Sequence, residues 1–315
     1  MTDENSLGQV ELFSITSPQT KKTAKNLNAH NPTDSYDRLK IHHKIEKLPI
    51  EKFTVYKYAK PDYDKENFTR IIMISDTHNK HRGINPNQLP PADILLHSGD
   101  ITKAGDPREL EDFMEWLKSL THIEKKVIIA GNHDLTLHEN WYLEDENYKR
   151  WHRAGPLDQK RAVECVKNKK KENQEKYGIH YLEDNAITIH GLKIFGSPWS
   201  AFFHNWAFNI DRGTPSQNLY SKIPDDIDIL LTHGPPCGAG DLVNNFRAKN
   251  VRVGCVNLMK EVVERIQPKI HQFGHIHEDY GVFFDGVTHF VNASTCTLRY
   301  SPDNGTVIFD LPKEK

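Results

Sequence analysis

Short apolar runs alternate with polar motifs along the chain, and five of these runs end at a motif that carries Asp, Asn or His. The runs are Ile71–Ile74, Ile94–Leu96, Val127–Ala130, Ile229–Leu231 and Ile270–Phe273. Runs of this length and composition predict strands that are buried on both faces. The motifs are Asp76-Thr77-His78, Gly99-Asp100, Gly131-Asn132-His133-Asp134, His233-Gly234 and Gly274-His275-Ile276-His277. Five polar strand exits predict one shared pocket.

Helices are predicted between these strands. Asp106 can cap a helix that starts at Pro107, and its apolar positions recur at helical spacing. That stripe consists of Leu110, Phe113, Met114 and Leu117. A second amphipathic helix is predicted over Cys255–Ile266. The charged run 159–176 predicts a solvated helix face.

The second half of the chain adds closely spaced strands. The candidates are Ala186–Ile189, Lys193–Phe195, Asp228–Leu231, Ile270–Phe273, Gly281–Phe284, Thr288–Val291 and Val307–Asp310. The pairs His190-Gly191 and Asp285-Gly286 predict hairpin turns, and hence antiparallel strands beside the parallel ones. We therefore expect an α/β protein, a layered αββα sandwich of two mixed sheets flanked by helices.

The first 48 residues lack this pattern. Residues 1–48 are polar and without a sustained period, which indicates a flexible or loosely docked arm before a single domain over 49–315. Leu12 and Phe13 are the candidates for pinning part of the arm to the domain.

Composition excludes several classes of protein. With 41 basic and 43 acidic residues, the net charge is −2, which gives no reason to expect a nucleic-acid or membrane-surface partner. No apolar stretch approaches the roughly 18–20 residues that span a bilayer. The start of the sequence is acidic and polar, unlike a secretory signal. The four cysteines are scattered and form no CxxC pair, which favours reduced thiols in a cytoplasmic protein.

The motifs contain ligands for two metal ions. In an extended segment Asp76 and His78 would point the same way, as would His275 and His277. Asp100 has two carboxylate oxygens and can bridge two cations. Carboxylate, amide and imidazole groups without thiolate suit manganese, iron or zinc.

The order of the motifs resembles the calcineurin-like metallophosphoesterase superfamily. Further segments are similar to its metallophosphoesterase-domain-containing (MPPED) branch. They include Gly196-Ser197-Pro198-Trp199, His233-Gly234-Pro235-Pro236 and Val291-Asn292-Ala293-Ser294. The resemblance implies the calcineurin-like phosphoesterase fold and two divalent ions, manganese first, with iron, zinc or magnesium as alternatives.

The resemblance also implies roles for individual residues. The first ion would be held by Asp76, His78 and His277, the second by Asn132, His233 and His275, with Asp100 bridging both. His133 would donate a proton to the leaving oxygen after in-line attack by a metal-bridging hydroxide.

Departures from the superfamily's motifs narrow the range of activities to expect. Protein phosphatases of this kind carry GDxxDRG, whereas this chain has Lys103 at the position of the carboxylate that orients the catalytic histidine. The phosphate-holding arginine is absent as well. A protein phosphatase is thus disfavoured, and the group that orients His133 is left open, with Asp134 or another carboxylate as the candidate.

Three residues are candidates for substrate contact. Trp199 belongs to an aromatic cluster with Phe202, Phe203, Trp206 and Phe208, which either stacks on a nucleobase or packs in the core. Arg212 either meets a phosphate or forms a surface salt bridge. Asn292 lies near the pocket by resemblance.

Two functions follow from these observations. The first is a dinuclear metal-dependent phosphodiesterase for small nucleotide-like diesters, with cyclic nucleotides as the leading substrate. The alternative is a weakly catalytic, nucleotide-binding regulatory protein on the same fold, which the missing orienting carboxylate motivates.

Overall fold

The computed structural model describes residues 27–39, 45–55, 63–244 and 248–313. Its strands are β1 Glu46–Lys47, β2 Thr54–Val55, β3 Phe68–Ile74, β4 Ala92–His97, β5 Ile123–Ile128, β6 Ile179–Tyr181, β7 Asn185–Ile189, β8 Leu192–Ser197, β9 Ser200–Ala201, β10 Asn209–Ile210, β11 Ile229–Thr232, β12 Leu242–Val243, β13 Val251–Arg252, β14 Ile270–Phe273, β15 Gly281–Phe284, β16 His289–Asn292 and β17 Thr306–Pro312. The α-helices are α1 Pro32–Leu39, α2 Pro107–Ser119, α3 Glu139–Tyr142, α4 Gln159–Val163, α5 Lys170–Tyr177, α6 Thr214–Tyr220 and α7 Val256–Glu261.

Two mixed sheets form the centre of the molecule. The first has the order β2-β17-β3-β4-β5-β6, and the second has the order β1-β15-β16-β14-β11-β8-β7. Strands β3 to β6 are parallel, as are β8, β11, β14 and β16, whereas β17, β15 and β7 pair antiparallel. The predicted mixed sheets and both hairpins are confirmed.

Alternation along the strands explains the layers. In β3, Ile71 and Met73 belong to the core between the sheets, whereas Ile72 and Ile74 belong to the core beneath α2. A third core lies between the second sheet and α7. Because both faces of the central strands are covered, their sequences are continuously apolar rather than alternating. This is the expected αββα sandwich.

The predicted helices are present with altered ends. Helix α2 starts at Pro107, and the Asp106 carboxylate accepts from the Arg108 N–H, as predicted. The helix predicted over Cys255–Ile266 begins as α7 and ends in a π-helical turn at Val262–Ile266. The charged run forms α4, a π-helical turn and α5, whose end is the left-handed Gly178.

Part of the predicted arm packs on the domain. Helix α1 lies against it, because the Cys237 thiol donates to the Pro32 carbonyl and the Arg252 N–H donates to Thr33 Oγ1. Strand β1 pairs with β15. Leu12 and Phe13 lie outside the described residues, and the boundary at residue 49 stays a prediction. Within the described ranges, no helix is long and apolar enough to cross a membrane.

Candidate active site and metal centre

The five motifs meet where the parallel strands of both sheets end. Strands β3, β4 and β5 deliver three motifs from one sheet, and β11 and β14 deliver two from the other. The Asp76 N–H donates to the Gly99 carbonyl at 2.9 Å. The Gly274 N–H donates to the His233 carbonyl at 3.1 Å. Across the two sheets, the His275 N–H donates to the Asp76 carboxylate.

The backbone of the motifs is turned rather than extended. Asp76, His78, Asp100 and His275 have φ values of 50°, 41°, 56° and 69°, in the left-handed region. The expectation that extended backbone aligns Asp76 with His78 is therefore wrong, although their side chains do converge. Left-handed backbone costs non-glycine residues about 1–2 kcal/mol each, and such strain concentrates at functional sites.

Asp76, His78 and His277 form the first cluster of possible metal ligands. Their ligand atoms lie within 4.8 Å of one another. His78 Nε2 and His277 Nε2 are 3.2 Å apart, and His277 Nε2 is 3.4 Å from Asp76 Oδ1. The structure thus brings together the three residues expected at the first ion.

Asp100, His233 and His275 form the second cluster, again within 4.8 Å. Asn132 joins it, because its Oδ1 lies 2.8 Å from His233 Nε2. Asp100 faces both clusters: Oδ1 is 3.4 Å from His233 Nε2, and Oδ2 is 3.7 Å from His78 Nε2. This placement is the one that a bridging carboxylate requires.

Backbone carbonyls fix the tautomer of three of these histidines. The Nδ1 atoms of His78, His233 and His277 lie 3.2, 2.9 and 3.1 Å from the carbonyls of Thr102, Ser98 and Thr297, respectively. A carbonyl oxygen only accepts, so each Nδ1 carries a hydrogen, and Nε2 is the nitrogen of each ring that can bind an ion.

The resulting contacts fit cations. His78 Nε2 lies 3.2 Å from His277 Nε2, and His233 Nε2 lies 2.8 Å from Asn132 Oδ1, so atoms that can bind an ion converge at both clusters. Either a proton or a metal ion between the paired atoms makes such a close contact favourable. Burial lowers the pKa of His78 to about 4 and that of His275 to about 3, so these rings are neutral near pH 7 and suited to metal binding.

His133 stands beside both clusters without belonging to the expected ligands. Its Nδ1 lies 2.6 Å from the Lys103 carbonyl, and its ring stacks on Trp206 at 4.1 Å. Its backbone N–H donates to Asp100 at 2.8 Å. The orienting group is thus a main-chain carbonyl, which leaves Nε2 available for substrate.

Asp134 was the candidate for orienting His133, but its carboxylate has other partners. Its buried carboxylate accepts from the N–H groups of Gly131, Thr102 and Ile101 at 2.8, 2.9 and 3.2 Å. It therefore ties the Asn132 loop to the Asp100 loop instead of orienting His133. Burial, reinforced by the Asp100 charge, raises the pKa of Asp134 to about 6.

The three residues expected to contact the substrate all have protein partners, and their contact with a substrate stays a prediction. Asn292 is fully buried, and its amide donates to the carbonyls of Gly240 and Ile276, so it positions the loop behind the ligands. The Trp199 indole donates to Asp184 and packs in the outer core. The Arg212 guanidinium donates to the carbonyls of Val253 and Gly254.

Two aromatic residues at the site carried no clear signal in the sequence. Tyr300 packs edge-on against His78 and His277, with ring centroids 4.8 and 5.4 Å away. It follows the last motif by more than 20 residues, so spacing could not reveal it. Trp206 was part of the aromatic cluster, but only the structure separates it from Trp199 as the neighbour of His133. It also lines a cleft with Phe202 and Asp211.

Comparisons with known proteins agree with this arrangement. The model of the calcineurin-like phosphoesterase family matches residues 69–279. Human metallophosphoesterase domain-containing protein 1 is 41% identical over 78% of this chain and 72% of its own length. The Caenorhabditis elegans UPF0046 protein T07D4.2 is 35% identical over 94% and 73%, respectively. A probable glycerophosphodiester phosphodiesterase, GpdQ, of Arcobacter nitrofigilis is 24% identical over 66% and 71%.

Proposed function

This chain belongs to the calcineurin-like phosphoesterase family, and from that premise we propose that it is a two-metal phosphodiesterase for nucleotide-like diesters, cyclic nucleotides first among them. Family membership supports the coarser activity, hydrolysis of phosphoric esters. The observation that carries the proposal is the pair of ligand clusters that share Asp100.

The residues of the two clusters would hold the ions. Asp76, His78 and His277 would bind the first, and Asn132, His233 and His275 the second, with one Asp100 oxygen toward each. Bound divalent ions would neutralise phosphoryl charge and make water acidic enough to act as a nucleophile. Carboxylate, amide and imidazole donors favour manganese, iron or zinc over a thiolate-seeking metal.

His133 would supply the proton for the leaving oxygen. The Lys103 carbonyl holds Nδ1, so Nε2 is the nitrogen that can face the substrate. The Trp206 ring stacks on the imidazole at 4.1 Å and helps to hold it in this orientation. A proton on Nε2 can then pass to the departing alkoxide while the phosphoryl group stays between the clusters.

Two observations favour a diester over a monoester. A monoester dianion needs more positive charge around it than a diester monoanion does. The guanidinium of Arg212, which was a candidate for contact with a phosphate, is engaged by backbone carbonyls instead. The name of the Arcobacter relative describes a probable phosphodiesterase, although that similarity is distant.

A weakly catalytic, nucleotide-binding regulatory protein is the second candidate. The hydrogen bond from His133 to the neutral Lys103 carbonyl is weaker than one to a carboxylate would be, so the ring is oriented less firmly for proton donation. This weaker orientation of His133 would lower the rate of hydrolysis and leave the binding of a nucleotide intact.

Hydrolysis after metal removal tests the proposal. Chelator-stripped protein would receive Mn²⁺, Mg²⁺, Zn²⁺ or Fe²⁺ and then bis-p-nitrophenyl phosphate or p-nitrophenyl phosphate, followed by cyclic nucleotides. We expect metal-restored cleavage that favours the diester. Tight calorimetric binding of a nucleotide without turnover under any metal would support the regulatory candidate instead.

A further inference from the structure

A row of rings runs from one side of the candidate site to the other. Trp206 stacks on His133 at 4.1 Å, His133 meets His78 at 4.7 Å, and His78 meets Tyr300 at 4.8 Å. His78 at the centre is 1% exposed, whereas Tyr300 is 46% exposed and Trp206 is half-buried. The ends of the row therefore reach the surface on either side of a buried ligand.

Tyr300 is held at its end of the row by a tight turn. Its N–H donates to the Thr297 carbonyl at 2.8 Å, the same oxygen that accepts from His277 Nδ1. Its φ is 56°, a conformation that disfavours a bulky aromatic residue. Strained backbone of this kind persists when the surroundings over-determine it, and it concentrates at ligand-binding positions. The turn thus couples the Tyr300 ring to a metal-ligand histidine.

The Tyr300 side chain also has an unused polar group. Over the described ranges, no residue forms a hydrogen bond with its hydroxyl. A tyrosine hydroxyl carries a hydrogen at neutral pH, so this group can donate to a bound anion. A half-exposed ring with a free donor beside two ligand histidines is suited to contact with an anion that carries an aromatic or sugar-like substituent.

We propose that Tyr300 is a specificity-determining residue, which contacts the retained ester arm of a phosphodiester while Trp206 contacts the leaving arm. This inference rests on the proposed function. When the phosphorus of a diester lies between the two clusters, its leaving oxygen would face His133, on the Trp206 side of the row. The retained ester arm would then lie toward Tyr300. A monoester has no second ester arm, so contacts at both Trp206 and Tyr300 would favour diesters.

Binding of two phosphinate anions tests this role. Diphenylphosphinate and dimethylphosphinate have the same charge, and their P–C bonds cannot be hydrolysed, so calorimetry on protein loaded with Mn²⁺ measures contact alone. We expect the protein to bind the diphenyl anion at least about tenfold more tightly, in line with stacking on aromatic side chains. The readout is the ratio of the two affinities, which partial loss of metal does not change.

Two variants of Tyr300 separate the ring from the hydroxyl. Tyr300→Ala should reduce the affinity ratio several-fold. Tyr300→Phe should keep the ratio while both anions bind a few-fold more weakly, because the hydroxyl donor is lost. Leu298→Ala is the matched control, since Leu298 is 51% exposed in the same turn and carries no ring. It should leave the ratio and both affinities unchanged.

Two results would overturn the role of Tyr300. One is an unchanged ratio in Tyr300→Ala, and the other is an equal fall of the ratio in Leu298→Ala. Cleavage of bis-p-nitrophenyl phosphate by the unmutated protein separates this failure from that of the proposed function. If the unmutated protein is active and Tyr300→Ala leaves the ratio unchanged, only the role of Tyr300 is rejected. If the unmutated protein is inactive but still selects the diphenyl anion through Tyr300, only the proposed hydrolase activity is rejected.

Discussion

Three of the candidate ligand histidines are each positioned by a backbone carbonyl outside the site. Carbonyl oxygens hold the Nδ1 atoms of His78, His233 and His277, and the same arrangement holds His133. We propose two chemical roles for these similarly anchored rings because their surroundings differ. The first three rings face acidic or amide oxygens, whereas His133 stacks on an indole and keeps partial exposure.

His133→Ala should reduce the rate according to the leaving group. A cyclic nucleotide expels a basic alkoxide and should lose about 10²–10⁴-fold in kcat, the usual contribution of a positioned acid. Bis-p-nitrophenyl phosphate expels a stable phenolate and should lose much less. The metal content should stay at the unmutated level. Equal losses for both substrates would show that His133 does not act as the acid.

The turn after β14 brings candidate ligands of the two sheets together and leaves no room for a side chain at Gly274. At Gly274, a Cβ atom would lie 1.9 Å from Asp76 Oδ2 and 2.3 Å from Ser75 Oγ. The glycine after β14 therefore permits the second sheet to approach the carboxylate that follows β3. Gly191, in the β7–β8 hairpin, has no neighbouring atom within 4 Å.

Gly274→Ala should displace Asp76 and weaken the first metal site. We expect one ion fewer per chain by elemental analysis and a lower midpoint of thermal unfolding. Gly191→Ala is the control, because its φ of 79° adds backbone strain where space is open. It should cost about 1–2 kcal/mol of unfolding free energy without loss of metal. If Gly274→Ala retains full metal content, the close approach is not essential.

Much of the element pattern was predictable from the sequence. The central strands and α2 follow from apolar runs and a capped amphipathic stripe, which are local signals. The π-helical end at Val262–Ile266 and the left-handed φ of Asp76 were not predictable, because packing between distant segments imposes them. The membership of the two ligand clusters came from the resemblance to the family, whereas Tyr300 and the Lys103 carbonyl depend on contacts that no spacing encodes.

At the scale of the whole molecule, both sheets meet around the candidate metal centre. Gln272 on β14 donates through Nε2 to the Ile74 carbonyl at 2.9 Å and lies within 3.3 Å of the Leu96 carbonyl. This buried amide joins the second sheet to β3 and β4 of the first. Ions held by both sheets would therefore stabilise their association as well as the site.

Removal of metal should destabilise the entire domain. An ion that binds only the folded state at a hundredfold excess over its Kd contributes about 2.7 kcal/mol. Two such ions contribute about 5 kcal/mol and should raise the thermal midpoint by at least about 10 °C, measured by calorimetry with and without chelator. Asp100→Asn should show a smaller shift on chelation. An identical midpoint in both conditions would mean that the ions do not link the sheets.

The number of ions per chain tests the central claim most directly. Elemental analysis of protein reconstituted with Mn²⁺ and freed of excess metal would be compared with Asp100→Asn, which keeps an acceptor for the His133 N–H. The account predicts two ions in the unmutated chain, and in the variant at most one ion together with loss of diester cleavage. Two ions and full cleavage in Asp100→Asn, or no bound ion in the unmutated chain, would contradict it.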